Sequence, residues 1–372
     1  MVAMIARLRC PILTLTLLFP LLAVYSATAV AADKTPPKAD LEAATRLQVF
    51  LDRAEFAPGK IDGRYGEFTV KALALYREAR GETPAPPSTP PPEKGKSEKV
   101  AAPDITGLDL ASIDPVFLAY TVTEDDLKSI GEVPDSVPDQ AKKKSLPYKD
   151  AAEAIAEKFH TDVDFLAELN PGKTKTIKAG DTLSVPNVEP FELPAVKDLK
   201  PGNEIPALAA NDVDEEADVE KGKGKEDKKE KETETAPLTT AVKIDTETNM
   251  LTVYESDKLI AAYPVTIGSA QTVSPVGDWK VRGVAKMPNF RYDKAMLNKG
   301  ERSSNFHMLP PGPNNPVGVI WIALNKKGIG LHGTSDPDAI GRSASHGCVR
   351  LANWDVVRLA GKVKTGVAVS IH

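Results

Sequence analysis

Apolar positions recur at helical spacing in two blocks near the start of the chain, 43–54 with Leu47 and Leu51, and 67–80 with Val70, Leu73, Ala74 and Tyr76. Between them lies Pro58-Gly59-Lys60-Ile61-Asp62-Gly63, so residues 41–81 predict a small domain of two helices joined by a turn. Residues 84–103 are rich in proline and lysine and predict an extended, semi-rigid linker. The stretch that follows carries scattered apolar residues such as Phe117, Leu118 and Tyr120 without a clear period, and 84–145 as a whole reads as linker and connector. Order resumes over 146–187, with helical patterns at 150–159 and 163–169, the turn Asn170-Pro171-Gly172, and a short strand through Leu183 and Val185. The opening strand of this small α+β module is placed around Leu146-Pro147-Tyr148. Residues 188–240 predict a charged, disordered linker, because the mixture of Asp, Glu and Lys across 211–235 holds too few apolar groups to offset its ordering entropy.

From Ala241 to His372 the pattern changes to short β-branched and aromatic runs, among them 250–254, 259–267, 318–324 and 367–371. One helix is clear, from an Asn353 cap to about Val363, with Asp355 at its positive end. The fold class is therefore multidomain: a mainly β C-terminal domain with one clear helix, preceded by a small helical domain and a small α+β module, the modules acting as tethers on flexible linkers.

Composition adds an address. Arg7 and Arg9 precede an apolar run over 11–24, and small residues at 27–32 precede Asp33, which predicts a secretory signal peptide over 1–31. The run is short for a membrane span and is broken by Pro20, so membrane contact is expected only during export, to the periplasm or cell envelope. Cleavage removes Cys10 and leaves Cys348 as the one thiol, which excludes an internal disulfide. A formal net charge of -5 provides no global basic field and argues against nucleic acid as a partner.

Cys348 sits in Ser345-His346-Gly347-Cys348-Val349-Arg350-Leu351, with a second histidine sixteen residues upstream in Leu331-His332-Gly333-Thr334. A thiol reacts as its thiolate and needs a base within reach or a lowered pKa. His346 is hampered by the short backbone between it and the cysteine, whereas His332 approaches from a separate element, so the base is assigned to His332. Backbone N–H groups around Gly347 and Cys348 are expected to receive an oxyanion, and Arg350 either binds a substrate carboxylate or orders the loop. A zinc site fails for want of a fourth ligand, and no metal or cofactor is expected. The Gly-Lys repeats at 221–225 lack the strand and helix of a phosphate loop.

His332-Gly333-Thr334, Ile340-Gly341, the Ser345–Leu351 stretch and Asn353-Trp354-Asp355 together resemble the signature of the L,D-transpeptidase catalytic domain, also called YkuD, across 242–371. That resemblance implies a cysteine enzyme acting on peptidoglycan stem tetrapeptides through a thioester at Cys348. It further implies His332 as general base, and Ser345, His346 and Gly347 shaping the oxyanion and donor site. Residues 154–186 look like a LysM module, which binds N-acetylglucosamine-containing glycans, and 47–73 resemble the helical peptidoglycan-binding domain. The implied partner is peptidoglycan, with a wall-anchored protein as a further acceptor. Two other readings share many of these features: an L,D-carboxypeptidase or related hydrolase passing the same acyl-enzyme to water, and a non-catalytic wall-binding protein.

Overall fold

The computed structural model describes residues 38–82, 101–207, 238–268, 274–299, 302–326, 328–342 and 347–372. The predicted signal peptide, most of the proline linker, the charged stretch 211–235, and Ser345 and His346 lie outside the described residues. Among the described residues no helix is long and apolar enough to cross a membrane.

Helix α1 spans Lys38–Arg53 and α2 spans Glu67–Ala79, with an acidic residue in the first turn and a basic one in the last turn of each, as the helix dipole favours. Leu47, Leu51 and Leu73 turn inward as their spacing predicted, whereas Val70, Ala74 and Tyr76 are half-buried and Ala72 takes their place in the core. The α+β module comprises β1 (Phe117–Thr121), α3 (Glu124–Leu127), α4 (Val137–Gln140), α5 (Ala151–Lys158), α6 (Val163–Leu169) and β2 (Thr182–Pro186). Asp150 and Asp162 cap α5 and α6 by accepting from the backbone N–H groups of Glu153 and Asp164. Asn170 clamps α6 to β2: its amide donates to Leu166 O at 2.9 Å and Ser184 O at 2.8 Å and accepts from Ser184 N–H at 2.7 Å.

The opening strand of this module differs from the expectation. β1 pairs antiparallel with β2, Phe117 opposite Pro186 and Thr121 opposite Thr182, so the strand comes from the stretch read as connector. Its five residues are half-buried or exposed in no regular alternation, and so leave no period-two trace in the sequence. Leu146 instead docks on the C-terminal domain, donating to Pro311 O at 2.9 Å and accepting from Asn314 N–H at 3.1 Å.

The C-terminal domain contains β3 (Thr240–Asp245), β4 (Met250–Glu255), β5 (Lys258–Pro264), β6 (Gly277–Lys286), β7 (Phe290–Tyr292), α7 (Lys294–Lys299), β8 (His307–Leu309), β9 (Ile320–Leu324), β10 (Gly330–His332), β11 (Val349–Arg350), α8 (Asn353–Lys362) and β12 (Ala368–Ile371). Eight strands form one sheet in the order β11-β10-β9-β6-β12-β3-β4-β5. One face, with Val242, Ile244, Leu251, Val253, Leu331 and Val349, packs on the buried side of α8 through Trp354, Val356 and Leu359. Helix α7, too short for a recognisable period, joins the hairpin strands β7 and β8 and was not expected; the carboxylate of Asp293 accepts from Ala295 N–H and Met296 N–H at its start. The N-cap of α8 is Ala352, not Asn353, whose side chain is spent elsewhere.

The picture of modules on flexible tethers is also corrected, for the described residues between Lys38 and His372 form one compact unit. Leu47, Leu51 and Phe56 share a core with Met250, Leu259 and Ala262 of the sheet. Ala57 N–H donates to Ala262 O at 2.8 Å and Ala262 N–H to Glu55 O at 2.9 Å, extending the sheet edge at β5. The start of the predicted linker 188–240 is ordered too: Phe191 and Val196 are buried in the main core, and Ile205 N–H donates to Val284 O at 3.0 Å. Linker composition reports on the linker; it says nothing about apolar surface that each module retains for its neighbours.

Candidate active site

The geometry of the thiol follows from strand register. β10 and β11 run parallel, with Leu331 opposite Val349 and His332 opposite Arg350. Leu331 and Val349 are wholly buried in the core beneath the sheet. Alternation along each strand therefore sends Cys348, Arg350 and His332 to the opposite face. There Cys348 packs against a small cluster of Ala285, Val317, Trp321 and Ala323. The backbone at Gly347, immediately before the thiol, has φ 105°, a conformation that residues with a Cβ avoid, so glycine is required at this turn into β11.

His332 is 4 % exposed and stacks on Trp321, its partner across β9, with ring centroids 5.2 Å apart and planes 10° from parallel. Its Nδ1 lies 2.6 Å from Gly333 O. A carbonyl only accepts, so Nδ1 carries the proton and Nε2 presents a lone pair. Burial pushes the imidazole pKa down to about 3, helped by the Arg350 guanidinium and opposed by the Gly333 carbonyl. The Cys348 sulfur lies 3.5 Å from Gly328 O. Burial pushes the thiol pKa up, while the Gly330 backbone and Arg350 partly offset this. At neutral pH the resting site accordingly holds a neutral thiol and a neutral imidazole.

Arg350 is held through its backbone, which exchanges hydrogen bonds of 2.9 and 3.0 Å with Thr266, while Leu351 N–H donates to His332 O at 2.8 Å. Of the residues singled out from sequence, Cys348, Gly347, His332 and Arg350 meet at this end of the sheet. Two contributors were missed. Trp321 lies in the apolar run Ile320–Leu324, where nothing local marks one residue as facing a histidine; only the register does so. Asn353 was read as a cap, yet its Oδ1 accepts from Val319 N–H at 3.1 Å and lies so close to Gly333 that a Cβ there would approach it to 2.2 Å. It thereby braces the backbone that carries the His332 partner.

A concavity of about 560 Å³ lies on the α+β module and is lined by Leu127, Ile130, Lys149, Asp150, Ala151 and the segment 174–177.

With this geometry in place, comparison with known proteins is direct. The family model YkuD, the L,D-transpeptidase catalytic domain, matches residues 239–371, and the LysM domain matches 150–186. The chain is 33% identical over 135 residues to a protein of Bacillus licheniformis named putative L,D-transpeptidase YkuD, covering 36% of this chain and 66% of that protein. It is 30% identical over 135 residues to the putative L,D-transpeptidase YqjB of Bacillus subtilis, covering 35% of this chain and 69% of that one. The chain thus spans 66% of the length of each of the first two curated relatives it matches. A solved L,D-transpeptidase from Mycobacterium smegmatis is 17% identical with a TM-score of 0.30, over 36% of this chain and 58% of that chain.

Proposed function

Because this chain belongs to the L,D-transpeptidase family, we propose that it is an exported cysteine acyltransferase acting on the stem tetrapeptides of peptidoglycan. In this reading the Nε2 of His332 takes the thiol proton as the sulfur of Cys348 attacks the carbonyl at the L-centre of the diamino acid. The N–H groups of Gly347 and Cys348 receive the oxyanion. Collapse of the tetrahedral intermediate breaks the peptide bond, and the terminal D-alanine departs with the proton from His332, leaving a thioester. An acceptor amine then attacks the thioester and gives its proton to His332; the expelled thiolate recovers that proton. The acceptor is a second stem peptide, giving a cross-link, or a protein to be anchored to the wall.

The observation that carries this reading is the pairing of β10 with β11, which puts the loop thiol on the same face as an imidazole whose Nδ1 is already committed to Gly333. A neutral thiol facing a neutral base suits the reaction, since proton transfer and attack proceed together and no exposed thiolate is left to oxidise in the cell envelope. The LysM domain adds a means of holding the substrate, with its groove at 149–151 and 174–177 taking wall glycan.

The test is to incubate the full chain with tetrapeptide muropeptides and to identify products by mass. Cross-linked dimers and free D-alanine, both absent with Cys348→Ala, are expected. Tripeptides and D-alanine without dimers would make it a hydrolase of the same acyl-enzyme, and unchanged turnover by Cys348→Ala would remove the thiol from the mechanism.

A further inference from the structure

The LysM model matches 150–186, yet the strand that opens the module is β1, so residues 122–149 are an added stretch between its first strand and helix α5. The later part of that stretch is a closed excursion. Gly131 N–H donates to Tyr148 O and Tyr148 N–H to Ser129 O, both at 2.9 Å, which ties the two ends together. Within it Ser136 caps α4 and the Gln140 amide donates to Pro134 O at 2.8 Å, so the segment 131–147 holds a shape of its own.

The end of this segment is committed to the C-terminal domain. Besides the backbone hydrogen bonds of the wholly buried Leu146 to Pro311 and Asn314, the Asn314 amide donates to Pro147 O at 2.7 Å and to Glu153 at 3.3 Å. Gly312 has φ 149°, and a Cβ there would lie 2.6 Å from the Leu146 carbonyl carbon, so only glycine leaves room for the contact. The loop that receives the segment, 310–318, leads on to the catalytic strands. Asn315 is sealed from water and folds this loop on itself, donating to Pro310 O at 2.8 Å and accepting from Val317 N–H at 2.9 Å. Val317 belongs to the cluster against which Cys348 packs. Gly318 backs on Gly333: a Cβ on Gly318 would come within 2.6 Å of the Gly333 Cα and carbonyl carbon. Gly333 O is the acceptor that orients His332. A line of close contacts thus runs from the excursion to the imidazole, and a close-packed interior transmits displacement along such a line.

We propose that the segment 131–147 of the LysM module is a working part of the active site: it holds loop 310–318 in place and, through Gly318 and Gly333, sets the direction of His332 Nε2 toward the thiol. Gly312 and Asn314 are then positioning residues, and the module serves the chemistry as well as the holding of glycan. The inference rests on the pairing of His332 with Cys348 proposed above and needs no particular substrate.

Alkylation of Cys348 by iodoacetamide in the full chain, followed by peptide mass from pH 5 to 8, tests it alongside turnover of a tetrapeptide muropeptide. An unaided thiol reacts about tenfold faster per pH unit below its pKa, whereas a thiol served by a neutral imidazole reacts at a rate that changes little over this range. The parent should show the second profile and His332→Gln the first. Gly312→Ala, which drives a Cβ into Leu146, should move toward the His332→Gln profile, with kcat lowered about 10–100-fold and KM within about twofold of the parent, the mark of a misdirected catalytic group. Asn314→Ala, which deletes two hydrogen bonds and adds no bulk, should shift the same readouts by less and serves if the first variant folds poorly. Parental profiles and kcat in both variants would overturn the proposal. So would a raised KM with kcat unchanged, which would make the segment a surface for holding substrate, or a parent indistinguishable from His332→Gln. An assisted profile that is present in the parent and lost in both variants, with no turnover of tetrapeptide, would uphold the positioning role and remove the substrate reading instead.

Discussion

Two histidines in this molecule are built almost alike and meet different partners. His332 stacks on Trp321 at 5.2 Å and 10°, and His160 stacks on Trp354 at 5.2 Å and 12°; both are buried, and burial lowers the pKa of both. The difference lies in the partner of Nδ1. His332 donates to a neutral carbonyl, at Gly333. His160 meets the carboxylate of Asp52 at 3.0 Å, which also receives both arms of Arg358 at 2.8 and 3.1 Å. A carbonyl orients an imidazole and leaves its other nitrogen available for proton transfer. A fully buried carboxylate, itself pinned by a guanidinium, turns the same stack into a structural joint between the helical pair, the LysM module and α8.

The comparison breaks most visibly at His332. Replacing it with Gln keeps a polar side chain of similar reach but removes the base, and turnover of tetrapeptide substrate is expected to fall by about 10²–10⁴-fold, the usual worth of a positioned general base. The melting temperature should stay within a few degrees of the parent. His160→Gln should do the reverse, lowering the melting temperature while leaving kcat near the parental value in the folded fraction. Comparable loss of kcat in both variants would mean that the distinction between site and joint is wrong.

The next effect is on stability. Asp52→Ala leaves the half-buried Arg358 with only the long 3.7 Å contact to Asp355 in place of its two hydrogen bonds to Asp52, and removing one member of a buried ion pair costs about 3–5 kcal/mol. The sign with pH follows from the same contacts: the Asp52 carboxyl is held well below its usual range, against burial, by His160 and Arg358. Its stabilisation is therefore present above the unfolded pKa and is lost as pH falls through the folded one. Urea unfolding of parent and variant should differ most near neutrality and converge in strong acid. A difference within about 0.5 kcal/mol at pH 7 would show that the junction bears no load.

How much of this was legible follows from the range over which each feature is encoded. Helices α1, α2, α5 and α6 and strands β3, β4, β5, β6, β9 and β12 carry their period locally, whereas β10 and β11, three and two residues long, are too short to show one; Cys348, Gly347 and Arg350 stand in one short stretch with a requirement for glycine written into it. That His332 would lie near Cys348 needed only the argument that a base for the thiol must come from another element. Strand β1 was missed because five half-exposed residues leave no alternation, and the α1–α8 joint because Asp52 and Arg358 are 306 positions apart. Nothing in either neighbourhood states that a carboxylate will be sealed from water and matched to a guanidinium. The Trp321 stack is a matter of register between β9 and β10, and the same holds for it.

The smallest expected effect concerns the carboxyl that links the two histidine regions. Glu157, three residues before His160 on the LysM side, is hydrogen-bonded by Tyr148 and by Asn353, the residue that braces Gly333. Burial raises its pKa from 4.5 to about 7, and the two hydrogen bonds only partly oppose this. A folded pKa above the unfolded one means that its contribution is fully present below about 4.5 and is lost as pH rises through about 7, where the chain must hold a carboxylate in a poorly hydrated place. Glu157→Gln keeps the shape and the acceptor while removing the charge. It should match the parent at pH 4 and exceed it by about 2 kcal/mol at pH 8, at 1.36 kcal/mol per pKa unit and with allowance for the partial exposure of the residue. If Asn353 transmits the strain, kcat of the parent should also fall above pH 7 relative to the variant, because the brace behind Gly333 is then pulled by a charged partner. Stability curves that stay parallel from pH 4 to 8 would show that Glu157 is hydrated in the folded chain, and that the two histidine regions are joined by packing alone.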